Sequence, residues 1–133
     1  MSKRIVIPIL AAAATVCFTA VALAGAMPAG NAAKGKTIFS AQCAACHSVA
    51  AGQNGIGPSL YGVYGKPAAS VKGFQFSPAL KSAHIVWTAA ALNKFLTNPQ
   101  ADVPGTKMPY MGMPNAQKRA DVIAYLATLS DKK

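Results

Sequence analysis

Two cysteines and a histidine form the short motif that most constrains this chain, Cys43-Ala44-Ala45-Cys46-His47. Two thiols separated by two residues and followed directly by an imidazole are typical of covalent haem attachment. Each thiol can add to one haem vinyl group, and on a helical turn the two sulfurs would be spaced like the two vinyls. The histidine on the same turn would lie under the ring and ligate the iron. The motif therefore predicts one covalently bound haem c.

Three other interpretations of the motif are less favoured. A zinc site needs about four nitrogen or sulfur ligands, and after the motif the chain offers only His84. A thioredoxin-like redox site uses the same cysteine spacing, but within a βαβ pattern that this sequence lacks. A disulfide across two intervening residues would be small and strained. Haem attachment remains the interpretation that uses all three side chains.

The N-terminal segment has the pattern of a secretory signal peptide. Lys3 and Arg4 precede a long apolar run, and Ala22-Leu23-Ala24 supplies a small-x-small cleavage site. A second candidate site, Ala24-Gly25-Ala26, follows directly. The expected organisation is a signal peptide over residues 1–24, a linker over 25–30 and one haem-binding domain over 31–133.

A retained membrane anchor is the alternative for the same segment. The apolar run from Ile5 to Ala24 is close to the roughly 20 residues that span a bilayer. Lipidation at Cys17 is disfavoured because the preceding Val16 is too large for a usual lipoprotein site. In either case the domain is exported. The expected location is the periplasm, and the alternative is attachment to the inner membrane facing the periplasm.

The charge balance bears on the partners. The chain has 13 basic and 3 acidic residues, for a formal net charge of +10. Such a balance can indicate nucleic acid, an anionic membrane or an acidic protein. Export and the absence of a clustered Arg/Lys stripe argue against nucleic acid. Acidic redox proteins are the favoured partners, and a basic surface that merely aids solubility is the alternative. Membrane contact is expected only if the leader is retained.

Hydrophobic spacing and capping residues predict an all-α domain without strands or repeats. The predicted helices are Ala32–Gln42, Pro78–Ser82, Ala89–Thr97 and Ala116–Leu129, capped by Asn31, Ser77, Thr88 and Asn115. The third helix is expected to stop at Asn98-Pro99, because a residue before proline disfavours the helical conformation. Residues 100–114 are then a predicted loop.

A second long loop, residues 48–64, follows the motif and is rich in glycine. A structureless loop of this length is unusual in a compact domain unless it is functional, and wrapping around a flat cofactor would explain it. Pro58 lies eleven residues after His47. Its carbonyl can accept the second ring N–H of that histidine, as ligating histidines usually require.

The second axial ligand is expected from the 100–114 loop, where Met108, Met111 and Met113 are candidates and His84 is a poorer one. Met108 is favoured because Pro104-Gly105 makes a turn just before it. The other two methionines are expected to pack. A thioether ligand favours ferrous iron and raises the reduction potential. It also fills the sixth position, which argues against oxygen or peroxide chemistry.

Several short motifs in order resemble class I cytochrome c over about residues 31–129. They are Cys43-Ala44-Ala45-Cys46-His47, Gly57-Pro58-Ser59-Leu60, Gly73-Phe74, Trp87, Asn98-Pro99, Pro104-Gly105-Thr106-Lys107-Met108 and Ala124-Tyr125-Leu126. The resemblance implies three main helices, with short helices and long loops, around one covalently bound haem. It also implies that the first and last helices cross, with Gly35 and Phe39 meeting Val122 and Tyr125.

The resemblance assigns roles to individual residues. It implies covalent attachment through Cys43 and Cys46 and axial ligation by His47 and Met108. The implied supporting residues of the haem pocket are Pro58, Trp87, Phe95, Thr106 and Tyr110. Among these, Pro58 would orient the histidine, Trp87 would donate to a propionate with Lys66 near it, and Tyr110 would lie by the exposed haem edge.

Some positions depart from the family pattern. Phe76 and Phe95 stand where the family often has tyrosine, and Leu80 stands where many members have asparagine, so the pocket should be more apolar. The lysines around the haem edge are also fewer. Lys36 and Lys107 remain, whereas lysine is often found at the positions of Gln42, Gln100 and Ala101. Docking is therefore expected to depend less on charge than in relatives.

The expected function is that of a monomeric, periplasmic one-electron carrier between membrane or periplasmic redox complexes, without catalytic residues. The alternative is a haem c subunit of a larger dehydrogenase or oxidase complex, including a membrane-anchored one. A third class, a peroxidase or gas sensor, would need an open iron position. The fate of the leader separates the first two classes, and ligand binding to the iron separates the third.

Overall fold

A computed structural model describes residues 26–130. Predictions that fall on the leader, on its cleavage sites and on Cys17 therefore lie outside the described residues. The described part contains five helices, which we number α1 to α5 in chain order. They are α1 (Ala32–Gln42), α2 (Pro78–Ser82), α3 (Ala89–Thr97), α4 (Pro99–Asp102) and α5 (Ala116–Leu126).

The all-α prediction is confirmed. Among residues 26–130 extended pairing is limited to one isolated bridge between Pro67 and Val86. The first three predicted helices have the predicted bounds, and each begins at the predicted capping side chain. No helix of the described residues is both long enough and apolar enough to span a membrane.

The start of the predicted 100–114 loop and the end of the last predicted helix are wrong. The third helix does end at Thr97, before Asn98, but a further one-turn helix, α4, begins directly after Asn98 and includes the first residues of the predicted loop. Asn98 is extended and its side chain accepts from the backbone N–H of Ala101, so one residue ends α3 and caps α4. The last helix ends at Leu126, three residues earlier than predicted, because Thr128 and Leu129 turn back with three-residue hydrogen bonds.

The core is built where α1 and α5 cross. A Cβ on Gly35 would collide with the backbone carbonyl of Asp121, so only glycine permits this approach. One turn later, Phe39 packs edge-on against Tyr125 with 5.5 Å between ring centroids. The predicted meeting of Gly35 and Phe39 with Tyr125 is therefore confirmed, and Val122 is fully buried beside them.

A buried cation connects α5 to α3 and to the loop before α5. Arg119 donates from Nη1 to the carbonyls of Met113 and Pro114, at 2.6 and 2.9 Å, and from Nε to the side chain of Asn93 at 2.8 Å. The apolar face of α3, made of Leu92, Phe95 and Leu96, is buried against this assembly. The helices thus form a frame, and the long loops lie against one side of it.

Candidate haem site

A cavity of about 530 Å³ lies between the helical frame and the loops. Its walls come from all parts of the described chain, from the end of α1 to α5. The residues that the sequence singled out and that line it are Cys43, Cys46, His47, Pro58, Phe76, Leu80, Trp87, Phe95, Thr106, Met108 and Tyr110. Residues 65 positions apart, such as Cys43 and Met108, therefore face one volume, whose size is ordinary for a cofactor pocket.

The backbone after α1 continues as a turn that carries the motif. The N–H of Cys43 donates to Phe39, and the N–H groups of Cys46 and His47 both donate to the carbonyl of Cys43. This turn directs both sulfurs and the imidazole toward the cavity. Cys43 and Cys46 form no disulfide with each other. Before a haem is attached, burial and the neighbouring Cys46 raise the pKa of the Cys43 thiol to about 11.

The orientation of His47 is set by the loop that follows. Its Nδ1 lies 2.8 Å from the carbonyl oxygen of Pro58. A carbonyl only accepts, so Nδ1 carries the proton and Nε2 keeps its lone pair. A Cβ on Gly57 would lie 2.5 Å from Cε1 of the same ring. The backbone of residues 57–58 therefore encloses the imidazole in the tautomer that an iron ligand needs.

The same loop is held by residues whose roles the sequence did not reveal. Ser59 is 2% exposed and donates from its hydroxyl to the carbonyl of Ala50 at 2.6 Å. Asn54 accepts from the N–H of Ser59 and donates to the carbonyl of Lys72. These bonds join three parts of the loop region around His47. Short polar residues in a glycine-rich loop were the available signal, but their partners are distant in sequence.

The three methionines of the 100–114 loop have different environments. Met108 is partly buried and lines the cavity. Met113 is 3% exposed and packs in the core, as predicted, and its N–H donates to Leu96. Met111 is 91% exposed, so the prediction that it packs is wrong. Met111 lies where the loop faces outward, just before Gly112. The φ of +103° at Gly112 turns the chain back under Thr97. His84 is exposed and is not among the lining residues.

Aromatic side chains form much of the remaining wall. Trp87 is buried and its ring centroid lies 5.0 Å from that of Phe95. Its backbone N–H donates to Lys66, which brings the backbone of that lysine near Trp87 but leaves the lysine outside the cavity lining. Tyr110 lines the cavity and donates from its hydroxyl to Gln42 at 2.8 Å. Burial raises the pKa of the Tyr110 hydroxyl.

The residues present fit a haem. Phe76, Leu80 and Phe95 face the cavity with hydrocarbon alone, as expected from the departures noted in the sequence. Two thiols stand on one turn with an imidazole whose Nε2 is available, and a thioether lies on a separate loop against the same volume. Among residues 26–130 no group of three His, Cys, Asp or Glu side chains is arranged to hold a metal ion by itself. The fold and this cavity define the class of small all-α proteins that carry one haem attached through two cysteines.

Comparison with known proteins agrees with this class. The family model for cytochrome c matches residues 32–130. The chain is 48% identical over 102 residues to cytochrome c of Euglena viridis, covering 77% of this chain and all of that protein. It is 48% identical over 105 residues to cytochrome c2 of Rhodopila globiformis, covering 79% and 99%. The chain belongs to the cytochrome c family.

A solved structure gives the same result for the fold. Cytochrome cH from Methylobacterium extorquens superposes with a TM-score of 0.71 at 43% sequence identity, covering 74% of this chain and 99% of that one. As a member of this family, the chain binds one covalently attached haem c and carries electrons between redox proteins. It is an electron carrier and not an enzyme.

Proposed function

We propose that the chain is an exported, monomeric one-electron carrier that moves between membrane or periplasmic redox complexes. In this proposal Cys43 and Cys46 would hold the haem, and His47 and Met108 would ligate its iron. The observation that supports it most is the meeting of the two thiols, the imidazole and the thioether at one apolar cavity. The motif and the methionine belong to separate segments, so their convergence is a property of the fold.

His47 and Met108 would have different roles toward the haem iron. When bound, the haem iron supplies the reversible gain and loss of one electron. His47 would bind the iron through Nε2, because its Nδ1–H is donated to Pro58. Met108 would supply the second iron ligand from the protein and so leave no iron position for oxygen or peroxide. A thioether ligand stabilises the ferrous state and raises the reduction potential.

The pocket walls would favour the same state. Phe76, Leu80 and Phe95 offer no polar atom to the additional positive charge of ferric iron, and an apolar environment disfavours charge. Trp87 lines the cavity, and its indole N–H would donate to a haem carboxylate. Thr106 is buried on the loop that carries Met108, and both Thr106 and Tyr110 line the cavity.

Two methionine variants test the ligand assignment. In Met108→Ala, the charge-transfer absorption between thioether and ferric iron should disappear and the reduction potential should fall. Met111→Ala is the matched control, since Met111 is 91% exposed on the same loop, and it should leave both quantities unchanged. Loss of the absorption in Met111→Ala, or its persistence in Met108→Ala, would contradict the assignment.

The export proposal is tested by the protein isolated from its native host. We propose that residues 1–24 are removed as a signal peptide, that 25–30 is a linker and that 31–133 is the mature domain. Intact mass spectrometry of a freely soluble periplasmic protein should then show a chain beginning at residue 25 plus one haem. A chain that keeps its leader and co-purifies with a dehydrogenase or oxidase would favour a subunit of a larger complex.

A further inference from the structure

The side chain of Gln100 hydrogen-bonds to the backbone on both sides of Lys107, the residue before Met108. Gln100, in α4, donates from Nε2 to the carbonyl of Thr106 at 3.1 Å and to the carbonyl of Met108 at 3.0 Å. The two hydrogens of one amide are thus used on two carbonyls of a single tripeptide. A glutamine can do this because the nitrogen of its primary amide carries two N–H donors.

Gln100 belongs to a short helix that is anchored in the core. Pro99 is fully buried next to Gln100, and Val103, directly after α4, is 3% exposed. The helix is capped by Asn98, and its last residue, Asp102, is paired with Lys94 of α3. The backbone of Gln100 is therefore held by the core rather than by the loop that its exposed side chain contacts.

The loop, by contrast, has little regular structure of its own. Residues 103–115 form neither helix nor strand. Close to Met108 the local bonds are those of the Thr106 N–H to Val103, at 3.0 Å, and of the Met108 N–H to the Thr106 hydroxyl, at 3.4 Å. Contacts from other elements must hold such a segment in place, and Gln100 provides two of them, one at Thr106 and one at Met108 itself.

We infer that Gln100 is a positioning residue that holds the thioether of Met108 at the iron. This inference rests on the proposed axial role of Met108 and adds to it the side chain that keeps the ligand in place. An uncharged amide at this position binds carbonyls without bringing a charge to the cavity. Without it, the loop would still be covalently connected, but Met108 would leave the iron more readily.

Competition by imidazole measures how readily Met108 leaves. Added imidazole binds ferric iron only where Met108 has been displaced, so its apparent affinity reports the stability of the methionine ligation. Gln100→Glu keeps the shape of the side chain but removes both donors at neutral pH. Since two hydrogen bonds are lost, the ferric holoprotein should bind imidazole about tenfold more tightly than the unsubstituted protein. Gln53→Glu is the control, because Gln53 is exposed and the charge change is the same, and its affinity should not change.

Gln100→Met repeats the test without a new charge. Its side chain has a similar length and no donor, so imidazole binding should tighten to a similar extent. The inference is overturned if Gln100→Glu binds imidazole within twofold of the unsubstituted protein, or if Gln100→Met does so while Gln100→Glu does not. The proposed function is tested separately. If the unsubstituted ferric protein lacks the thioether charge-transfer absorption, the role of Met108 fails, whereas a normal absorption with unchanged imidazole binding removes only the role of Gln100.

Discussion

His47 depends on two neighbours that act through the backbone and not through a side chain. The carbonyl of Pro58 takes the Nδ1 proton, and Gly57 leaves room for the ring itself. A methyl group at residue 57 would occupy space that the imidazole fills. The ring would have to move away from the position in which Nε2 faces the cavity.

We therefore expect Gly57→Ala to destabilise the holoprotein by about 1–3 kcal/mol, the usual cost of overpacking. Urea unfolding followed by haem absorbance measures the change. Gly55→Ala is the control, because an added Cβ there would meet only the Cys46 carbonyl at 3.4 Å. Equal stability of the two variants would show that Gly57 does not hold the ring.

The motif residues and their direct neighbours could be predicted from the sequence, and the residues that hold them could not. The hydrogen bond between His47 and Pro58 could be predicted, because the spacing between the two residues is visible in a single sequence. Arg119 and Gln100 contact carbonyls of loops, and nothing in the local pattern marks a glutamine as a donor to a particular peptide group. Such contacts depend on where the loop runs, which the fold decides.

The crossing of α1 and α5 requires a glycine at one position of α1. In an open helix, replacing glycine by alanine stabilises by roughly 1 kcal/mol. At Gly35 the sign should reverse, because the new Cβ would collide with the Asp121 carbonyl of α5. We expect Gly35→Ala to lower the free energy of unfolding by about 2 kcal/mol or more, measured by urea denaturation. A gain in stability would mean that the two helices are not in contact at this point.

The same crossing contains a pH-dependent contact. The backbone N–H of Asn31 and the side chain of Gln117 both donate to Asp121 Oδ1, and they lower the pKa of this carboxyl below its ordinary value. Since the ionised form is favoured in the folded protein, its contribution to stability is present above the unfolded pKa of about 3.9. It is lost as the pH falls through the lower pKa of the folded state.

Asp121→Asn should therefore be less stable than the unsubstituted protein near neutral pH, and the difference should close as the pH falls below about 4. Urea unfolding at a series of pH values measures both curves. Comparing the two proteins cancels the contributions of groups that they share. A difference in stability that stays constant across this range would show that the charge of Asp121 does not contribute.

Helix positions were predicted well where local signals decide and poorly where tertiary contacts decide. Capping side chains placed the starts of α1, α2, α3 and α5. The start of α4 was missed because Asn98-Pro99 is both a stop for one helix and a cap with proline for the next. The early end of α5 follows from the chain turning at Thr128 and from the contact of Leu129 with the N–H of Gly62, which no local pattern indicates.

At the scale of the whole domain, the acidic and basic side chains of the described residues differ in their exposure. Of the carboxylates in the described residues, Asp102 is paired with Lys94 and Asp121 is buried against α1. The lysines are largely exposed, so the protein surface is electrostatically positive with little acidic compensation. Anionic partners should be attracted over a distance set by the Debye length, which shrinks from about 30 Å at 0.01 M salt to about 3 Å at 1 M.

We expect electron exchange with an anionic inorganic complex to slow about tenfold as salt rises over this range. With an uncharged reagent the rate should change much less, since there is no attraction to screen. Stopped-flow kinetics at several ionic strengths measures both. A rate with the anionic complex that is insensitive to salt would show that the dispersed lysines do not steer association.

The central claim is that one haem iron, held by His47 and Met108, takes up and releases a single electron in this protein. A spectroelectrochemical titration of the protein from its native host tests it most directly. We predict one reversible wave with one electron per chain, and low-spin c-type spectra in both oxidation states. A wave of more than one electron, no reversible uptake, or a high-spin spectrum with an open iron position would contradict the account.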